Sequence, residues 1–402
     1  MGLPISGAQV FASFSWLLAA AWLWKGIEAL RGIAHIPDLR RIDPDSLPPI
    51  PACSGPDLTV IIPARDEEAS IEASLRSLLA TTGVRLQIIA IDDRSTDRTG
   101  LRMDAIAAEL SVRETSHQLD ILHIADLPAG WLGKPHAMSA GAQRAIAPWL
   151  LFTDGDVVFA PRALELALRE ALALRADHLV LLPTVILKSA GERASISAMQ
   201  ALAMWAVRLW KIADPRARDS FGAGGFNLIR RVAYIEVGGF EALRMEVLED
   251  VFLGQRVKRA GFAQQVIFGP GLVKIRWLEG AFGVVRLVEK NGFSVLRFRV
   301  GLLLLTCLLF ATDAVVPLLA IACGGWTMAA GLATYVGIAL LYRAGRRTTG
   351  ISTWYALLFA PAALVVAYGF LRSMILALRR GGILWRGTLY PLNELRRNAQ
   401  RP

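Results

Sequence analysis

Trp149-Leu-Leu-Phe-Thr-Asp-Gly-Asp156 is the stretch on which the fold turns. Its apolar run, Trp149 to Thr153, has the length of a buried strand and delivers two carboxylates flanking a glycine, which lets a ligand approach the backbone. Hard oxygen donors of this kind suit Mg or Mn bound to a diphosphate, and such an ion neutralises and orients a leaving nucleotide. An Asp-x-Asp occurs in many loops, so its weight depends on its surroundings.

Upstream of it, three more apolar runs alternate with amphipathic stretches. Leu58 to Pro63, Leu86 to Asp92 and Leu119 to Ile124 read as strands. Glu68 to Leu79 and Arg98 to Leu110 read as helices, with Ile71, Leu75, Leu78 and Leu79 on one helical face. The alternation predicts an α/β fold with a largely parallel sheet covered on both faces, whose strand C-terminal ends form the ligand site. Strand one ends in Pro63-Ala-Arg-Asp-Glu-Glu68, strand two in Asp92-Asp93-Arg-Ser-Thr-Asp97 and strand four in Asp154-Gly-Asp156, so carboxylates converge on one edge. Glu67 and Asp97 have a second reading, as caps of the helices that follow.

The 402 residues are 54% hydrophobic and only 19% charged, too apolar for a soluble protein of this size. Residues 1–24 carry no charge, and Ile5 to Trp24 is long enough to cross roughly 30 Å of hydrocarbon, which predicts an anchor. The stretch lacks the basic start and the cleavage site of a signal peptide. A Pro-rich linker at 25–57 leads into a catalytic domain at 58–280. An amphipathic helix in the headgroup plane is expected at 281–300, a membrane region at 301–378 and a basic cytoplasmic tail at 379–402. Gly301 to Tyr342, interrupted only by Asp313, fits two spans, and Asp313 is expected to face other helices or a water-filled crevice. Thr348 to Leu371, with Pro361, is a third candidate, either spanning or re-entrant.

Lys25, Arg31, Arg40 and Arg41 directly follow the first span, which places the middle of the chain in the cytoplasm, at a bacterial-type inner membrane. Arg379, Arg380, Arg386, Arg396 and Arg397 oppose that count if every later segment crosses. The net charge of +10 lies beside apolar spans, so membrane lipids with anionic headgroups are the expected partner and nucleic acid is not. Cys53, Cys307 and Cys323 have neither pairing nor metal spacing.

Together these residues resemble the family 2 glycosyltransferases of the GT-A, nucleotide-diphosphosugar-binding type, over Leu58 to Trp277. The resemblance implies that Pro63, Ala64, Arg65 and Glu67 of the first loop line the nucleotide-sugar donor. It assigns Asp92 and Asp93 to the nucleoside, Asp154 to the ribose side and the metal, and Asp156 to the metal. The family usually has Asn where this chain has Asp66. Leu127-Pro-Ala-Gly-Trp-Leu-Gly-Lys-Pro-His136 is similar to the Gly-Trp-x-Gly-Lys segment of the membrane-bound subgroup acting on hopanoid-like, carotenoid-like and ceramide-like lipids. There Lys134 offers a point charge for the diphosphate. Without the resemblance it is a surface lysine in a Gly and Pro turn, and His136 reads as structural.

Phe221-Gly-Ala-Gly-Gly-Phe-Asn227 resembles the family's acceptor-side loop, which implies acceptor contacts at Gly224, Gly225 and Phe226, with Trp277 further on; a plain turn before a helix is the other reading. Glu249-Asp250 fits the family's Glu-Asp motif and implies Asp250, beside Glu249, as general base. An acidic helix start explains the same residues. Arg276-Trp277 falls where processive members carry Gln-x-x-Arg-Trp, but the Gln position is Val273. That departure implies a single addition, with Arg276 on donor phosphate. Trp385-Arg-Gly-Thr-Leu-Tyr390 resembles the tail of lipid-directed relatives. The expectation is an integral-membrane, metal-dependent, inverting enzyme that moves one sugar from a UDP-sugar to a lipid acceptor. Its rivals are a processive polysaccharide synthase and a non-catalytic membrane scaffold.

Overall fold

The structure is a computed structural model that describes residues 6–112, 116–280 and 282–399. The expectations for residues 1–5 of the anchor, for Ala281 and for residues 400–402 of the tail lie outside these. The chain opens with α1 (Gly7–Ala34), then β1 (Leu58–Ala64), α2 (Ile71–Leu79), β2 (Leu86–Asp93), α3 (Thr99–Ser111), β3 (Gln118–Ile124), α4 (Gly133–Arg144) and β4 (Trp149–Phe152). Beyond the Asp154 turn come β5 (Val157–Phe159), α5 (Ala163–Ala173), β6 (His178–Leu182), β7 (Thr184–Val185), α6 (Ala190–Ala206), β8 (Asn227–Arg230) and α7 (Arg231–Glu236). They are followed by α8 (Glu249–Arg259), β9 (Gln264–Phe268) and β10 (Val273–Ile275). The last third holds α9 (Gly283–Val295), α10 (Val300–Cys323), α11 (Gly325–Thr349), α12 (Phe359–Arg380), the strands β11 (Gly382–Trp385) and β12 (Thr388–Pro391), and α13 (Leu392–Ala399).

Two compact units divide these elements. One comprises Ile36–Ile186 and Lys211–Trp277 and carries the sheet. Among the described residues seven strands form it, in the order β3-β2-β1-β4-β8-β6-β9. β1 pairs in parallel with β2 and β4, β2 with β3, and β6 with β9, whereas β8 runs antiparallel to β4 and β6. The mostly parallel sheet expected from the alternation is present. Val60 and Ile62 of β1 join Leu75, Leu78 and Ile88 in one core cluster, while Ile61 joins Ile89, Ile91, Ala137, Met138 and Phe152 in another. Burial on both faces is why these strands read as unbroken apolar runs. The β1–β2 register sets Ala64 beside Asp92, so the first two acidic loops leave the sheet side by side.

The other unit gathers the N-terminal stretch through His35, Leu187–Trp210 and Leu278–Arg396. Among the described residues Gly7–Ala34, Val300–Cys323, Gly325–Thr349 and Thr353–Arg380 are long and apolar enough to cross a membrane. α1 continues well past Trp24, and α12 is unbroken at Pro361, which sits in its first turn where a missing N–H breaks no helical bond. Small residues let the helices close on each other. A Cβ on Gly26 would lie 2.7 Å from the Gly337 carbonyl oxygen, which sets α1 directly against α11. The Trp22 indole donates to Asp313 Oδ1 at 3.0 Å, so the intramembrane carboxyl joins α1 to α10. α6 belongs here too, though it falls within the span expected for the catalytic domain. Ile196, Ala198, Ala201, Leu202 and Met204 are buried, because this helix is apolar enough to pack among the membrane helices, where it meets α11 and α12. The amphipathic stretch expected at 281–300 contains α9, whose Val284, Val288 and Phe293 are buried, with the Phe293 N–H on Ser373 Oγ of α12 at 3.0 Å. The tail folds as the antiparallel β11–β12 hairpin and α13.

Candidate active site

The loops after β1 and β2 are laced together by hydrogen bonds. Asp66 Oδ1 accepts from the Thr96 N–H at 2.7 Å and from its hydroxyl at 3.1 Å, and the Asp66 N–H donates to Ser95 Oγ at 3.1 Å. Asp66 has a φ of 54°, left-handed backbone that Asn and Asp tolerate better than other side chains. The position asks for that conformation together with a side-chain acceptor, and Asp66 meets both requirements. The Glu67 N–H donates to Thr99 Oγ1 at 2.8 Å and the Glu68 N–H to Asp97 Oδ2 at 3.0 Å. Asp97 Oδ1 also accepts from the first N–H of α3, that of Thr99, at 2.9 Å, so Asp97 caps that helix. Burial works against its charge, but the bonds from Thr99 and Glu68 hold its carboxyl below the usual range.

Asp93 is buried and takes both Nε and Nη2 of Arg94, at 2.8 and 3.1 Å. It lies under the start of α4, where a Cβ on Gly133 would meet Asp93 Oδ2 at 2.5 Å. Asp92 Oδ1 accepts from the Ser95 N–H at 3.1 Å. Its Oδ2 lies 3.1 Å from His123 Nδ1, whose Nε2 is 3.0 Å from Asp104 Oδ1. Hydrogen bonding to Asp92 and then to Asp104 raises the His123 pKa.

Lys134 stands second in α4. Its Nζ is 2.7 Å from Asp154 Oδ1 and 2.6 Å from Glu249 Oε1, so one ammonium joins the turn after β4 to the start of α8. Burial opposes the charge, yet Asp154, Glu249 and Asp250 hold the Lys134 pKa well above the ordinary lysine range. A Cβ on Gly224 would lie 2.6 Å from Asp154 Oδ2 and 3.2 Å from Lys134 Nζ, so the glycine loop closes over this pair. Burial, then Asp154 and Glu67, push Asp156 up to about 7, against a smaller opposing pull from Lys134. Burial and then Glu249 push Asp250 up to about 6, with Lys134 pulling the other way. Glu67, Asp154, Asp156, Lys134, Glu249 and Asp250 therefore form one electrostatic cluster. Glu249 and Asp250 are also the first residues of α8, and Asp250 Oδ1 accepts the Val251 N–H at 2.8 Å, so the helix-start reading holds alongside membership of the cluster.

Residues that sequence reasoning missed hold the glycine loop. A Cβ on Gly222 would collide with the Asp250 carbonyl oxygen, and one on Gly254 with that of Phe221. Gln264 of β9 accepts the Phe221 N–H at 3.1 Å and donates to the Phe221 and Gly254 carbonyls at 3.0 and 3.1 Å. Its amide nitrogen is 2.7 Å from His178 Nδ1, and His178 Nε2 is 2.8 Å from Asn227 Oδ1. Burial pushes His178 down to about 4 against the Asn227 bond, which keeps the imidazole neutral. Gln264 and His178 lie far from any motif and carry no local signal. Phe226 is fully buried beside Phe159 in the core, so its side chain supports the loop from within, away from any acceptor. Pro63 and Ala64 are buried at the end of β1, and a Cβ on Gly155 would lie 3.3 Å from the Ala64 Cβ. Arg65 is half-buried where that strand ends. Arg276 donates from Nη1 to the Ile186 carbonyl at 2.7 Å, and Trp277 is 47% exposed.

Asp154 and Asp156 present hard oxygens around Gly155; burial first, and then the charges of Asp154 and Glu67, raise the Asp156 pKa, and a divalent cation would offset that charge. Among the described residues no set of three or more His, Cys, Asp or Glu side chains is arranged to hold an ion by itself. The donor set fits an ion that takes further oxygens from a diphosphate and water, as Mg and Mn do.

Residues 59–252 match the family model described as Glycosyl transferase family 2. The chain is similar to the 4,4'-diaponeurosporenoate glycosyltransferase of Staphylococcus haemolyticus (strain JCSC1435), 25% identical over 235 residues, covering 56% of this chain and 58% of the relative. It is also similar to the enzyme of the same name from Staphylococcus aureus (strain MRSA252), 26% identical over 227 residues, covering 56% and 57%. The chain thus spans under three fifths of the length of these curated relatives. Among solved structures, a mannosyltransferase of Pyrobaculum calidifontis in complex with GDP-Man and Mn2+ aligns over 90% of this chain and 99% of its own, with a TM-score of 0.56 and 18% identity, a likeness of fold.

Proposed function

We propose, from a chain whose residues 59–252 form a glycosyl transferase family 2 domain of the GT-A fold, that this protein transfers one sugar with inversion from a UDP-sugar to a membrane lipid. The observation that carries this reading is Lys134 joined at once to Asp154 and Glu249, since it draws the carboxylates expected on the donor and acceptor sides into one cluster. In the reaction the acceptor oxygen bonds to the anomeric carbon as the bond from that carbon to the diphosphate breaks, and the hydroxyl proton passes to Asp250. Asp92 and Asp93 hold the nucleoside and Asp154 the ribose. Asp154 and Asp156 would hold Mg or Mn, which when bound would supply charge neutralisation at the leaving diphosphate. Gly224 and Gly225, closed against the Asp154–Lys134 pair and Pro183, belong to the acceptor-side loop, and the exposed Trp277 offers the acceptor an apolar face.

The relatives' names favour a carotenoid-type acceptor, with hopanoid and ceramide-like lipids as the other classes to be assayed. The catalytic unit is assigned to the cytoplasmic face, from Lys25, Arg31, Arg40 and Arg41 after the first helix. Incubating the purified chain with Mn2+, labelled UDP-sugars and total lipid tests the whole reading. Label in a discrete lipid that depends on Asp156 supports it, and label only in polymer or in nothing defeats it. The relatives' acceptor is by name a carboxylate, which needs no base. Full transfer by Asp250→Asn beside loss in Asp156→Ala would therefore identify an acid acceptor.

A further inference from the structure

The contacts of Lys134 bear on how the cation and the donor reach the site. Its ammonium lies 2.7 Å from Asp154 Oδ1, on one of the two carboxylates assigned to the divalent ion, and 2.6 Å from Glu249 on the acceptor side. Glu249 is buried, and Gly224 has no side chain that could separate the pair. An ion approaching Asp154 meets a positive charge already seated on that carboxylate, and repulsion between cations a few ångströms apart is large where water is partly excluded. A diphosphate brings new anionic oxygens and so gives a lysine, with its flexible stem and compact charge, another partner.

We propose that Lys134 is a built-in counter-cation that holds Asp154 and Glu249 together until the nucleotide arrives, then yields Asp154 to the divalent ion and turns to the diphosphate. It is a positioning residue, and the inference rests on the assignment of Asp154 and Asp156 to the metal. Metal and donor then bind with positive coupling, each made easier by the other's displacement of the lysine. Lysine is suited to this role because it can release one carboxylate without losing its charge.

The test is Mn2+ binding to the full chain in detergent, read by electron paramagnetic resonance in the absence of nucleotide. Lys134→Met and Lys134→Gln should bind Mn2+ about tenfold more tightly than the parent, within the usual range of site-to-site coupling, and Lys134→Arg should not. Affinity unchanged or weakened in both neutral variants, with binding still lost in Asp156→Ala, overturns the proposal and leaves the metal assignment standing. Parent-like binding by Asp156→Ala removes the metal assignment and this proposal with it. If the neutral variants melt before they can be measured, zero-length carbodiimide cross-linking of the parent, followed by mass spectrometry, decides. The Lys134–Asp154 cross-link should form without ligands and be lost when Mn2+ and UDP are added together, and an unchanged yield overturns the proposal.

Discussion

The two halves of the site are built in different ways. In the half fed by β1, β2 and β4, the acidic residues lie at the end of their own strand or a few residues beyond it, and parallel register lines the strands up so that Ala64 sits beside Asp92. In the half formed by the glycine loop and α8, nothing is placed locally. Gly222 packs on the Asp250 carbonyl, and Gln264 bonds Phe221 and Gly254. The first half is a row of strand ends whose loops are laced by many separate side-chain bonds, whereas in the second one amide, that of Gln264, serves the glycine loop, α8 and β6 at once. A single substitution should therefore cost less in the first than in the second.

The largest effect is expected where the acceptor half touches chemistry. Asp250→Asn should cut transfer to a lipid hydroxyl by about 10²–10⁴-fold while leaving UDP affinity within about twofold, measured by label transfer and by calorimetry. In the parent, burial and Glu249 hold Asp250 protonated below about 6, and a protonated carboxyl accepts no proton. Hence kcat/KM should fall about tenfold per unit as pH drops below about 6 and level off above it, a limb that must vanish in Asp250→Asn. A pH-independent parent would remove Asp250 from this role.

Gly222→Ala tests the division between the halves. Its added Cβ collides with the backbone at Asp250, so it should cost about 1–3 kcal/mol of stability and depress kcat more than donor KM. Equal damage to donor binding would show that the halves are not separable. Gln264→Leu strands buried groups on Phe221, Gly254 and His178 and should cost about 2–3 kcal/mol in chemical denaturation, against about 1 kcal/mol for loss of the Asp97 cap by Asp97→Ala. The reverse order would contradict that difference between the halves. The smallest effect falls on His123→Asn, which removes an exposed support of Asp92 and should raise donor KM about twofold to fivefold with kcat unchanged.

The strand runs ending at Pro63, Asp92 and Thr153 were legible because a strand buried on both faces leaves an uninterrupted apolar segment, and the carboxylates that follow it stand out by contrast. The membrane helices were legible for the same reason at greater length; α6 was legible only as an alternative, since the nearly all-apolar stretch Ile196 to Ile212, with Trp205 and Trp210, reads equally as a segment on the membrane side or as buried core. Lys134 was visible as a charge in the right segment, but its two carboxylate partners lie on β4's turn and on α8, and no spacing records that meeting. His178 and Gln264 left no trace, because a buried polar pair is defined by what surrounds it and not by its neighbours in sequence.

By itself, then, the sequence determined the alternating α/β core, its acidic strand ends and the apolar helices, all of which follow from residue periodicity along a local stretch of chain. Only the tertiary structure decided that β8 runs antiparallel, that α6 groups with the membrane helices, and that one lysine ties the two sets of carboxylates together. Those outcomes depend on which distant groups can satisfy charge and hydrogen bonding once water is excluded, and that selection is made in space.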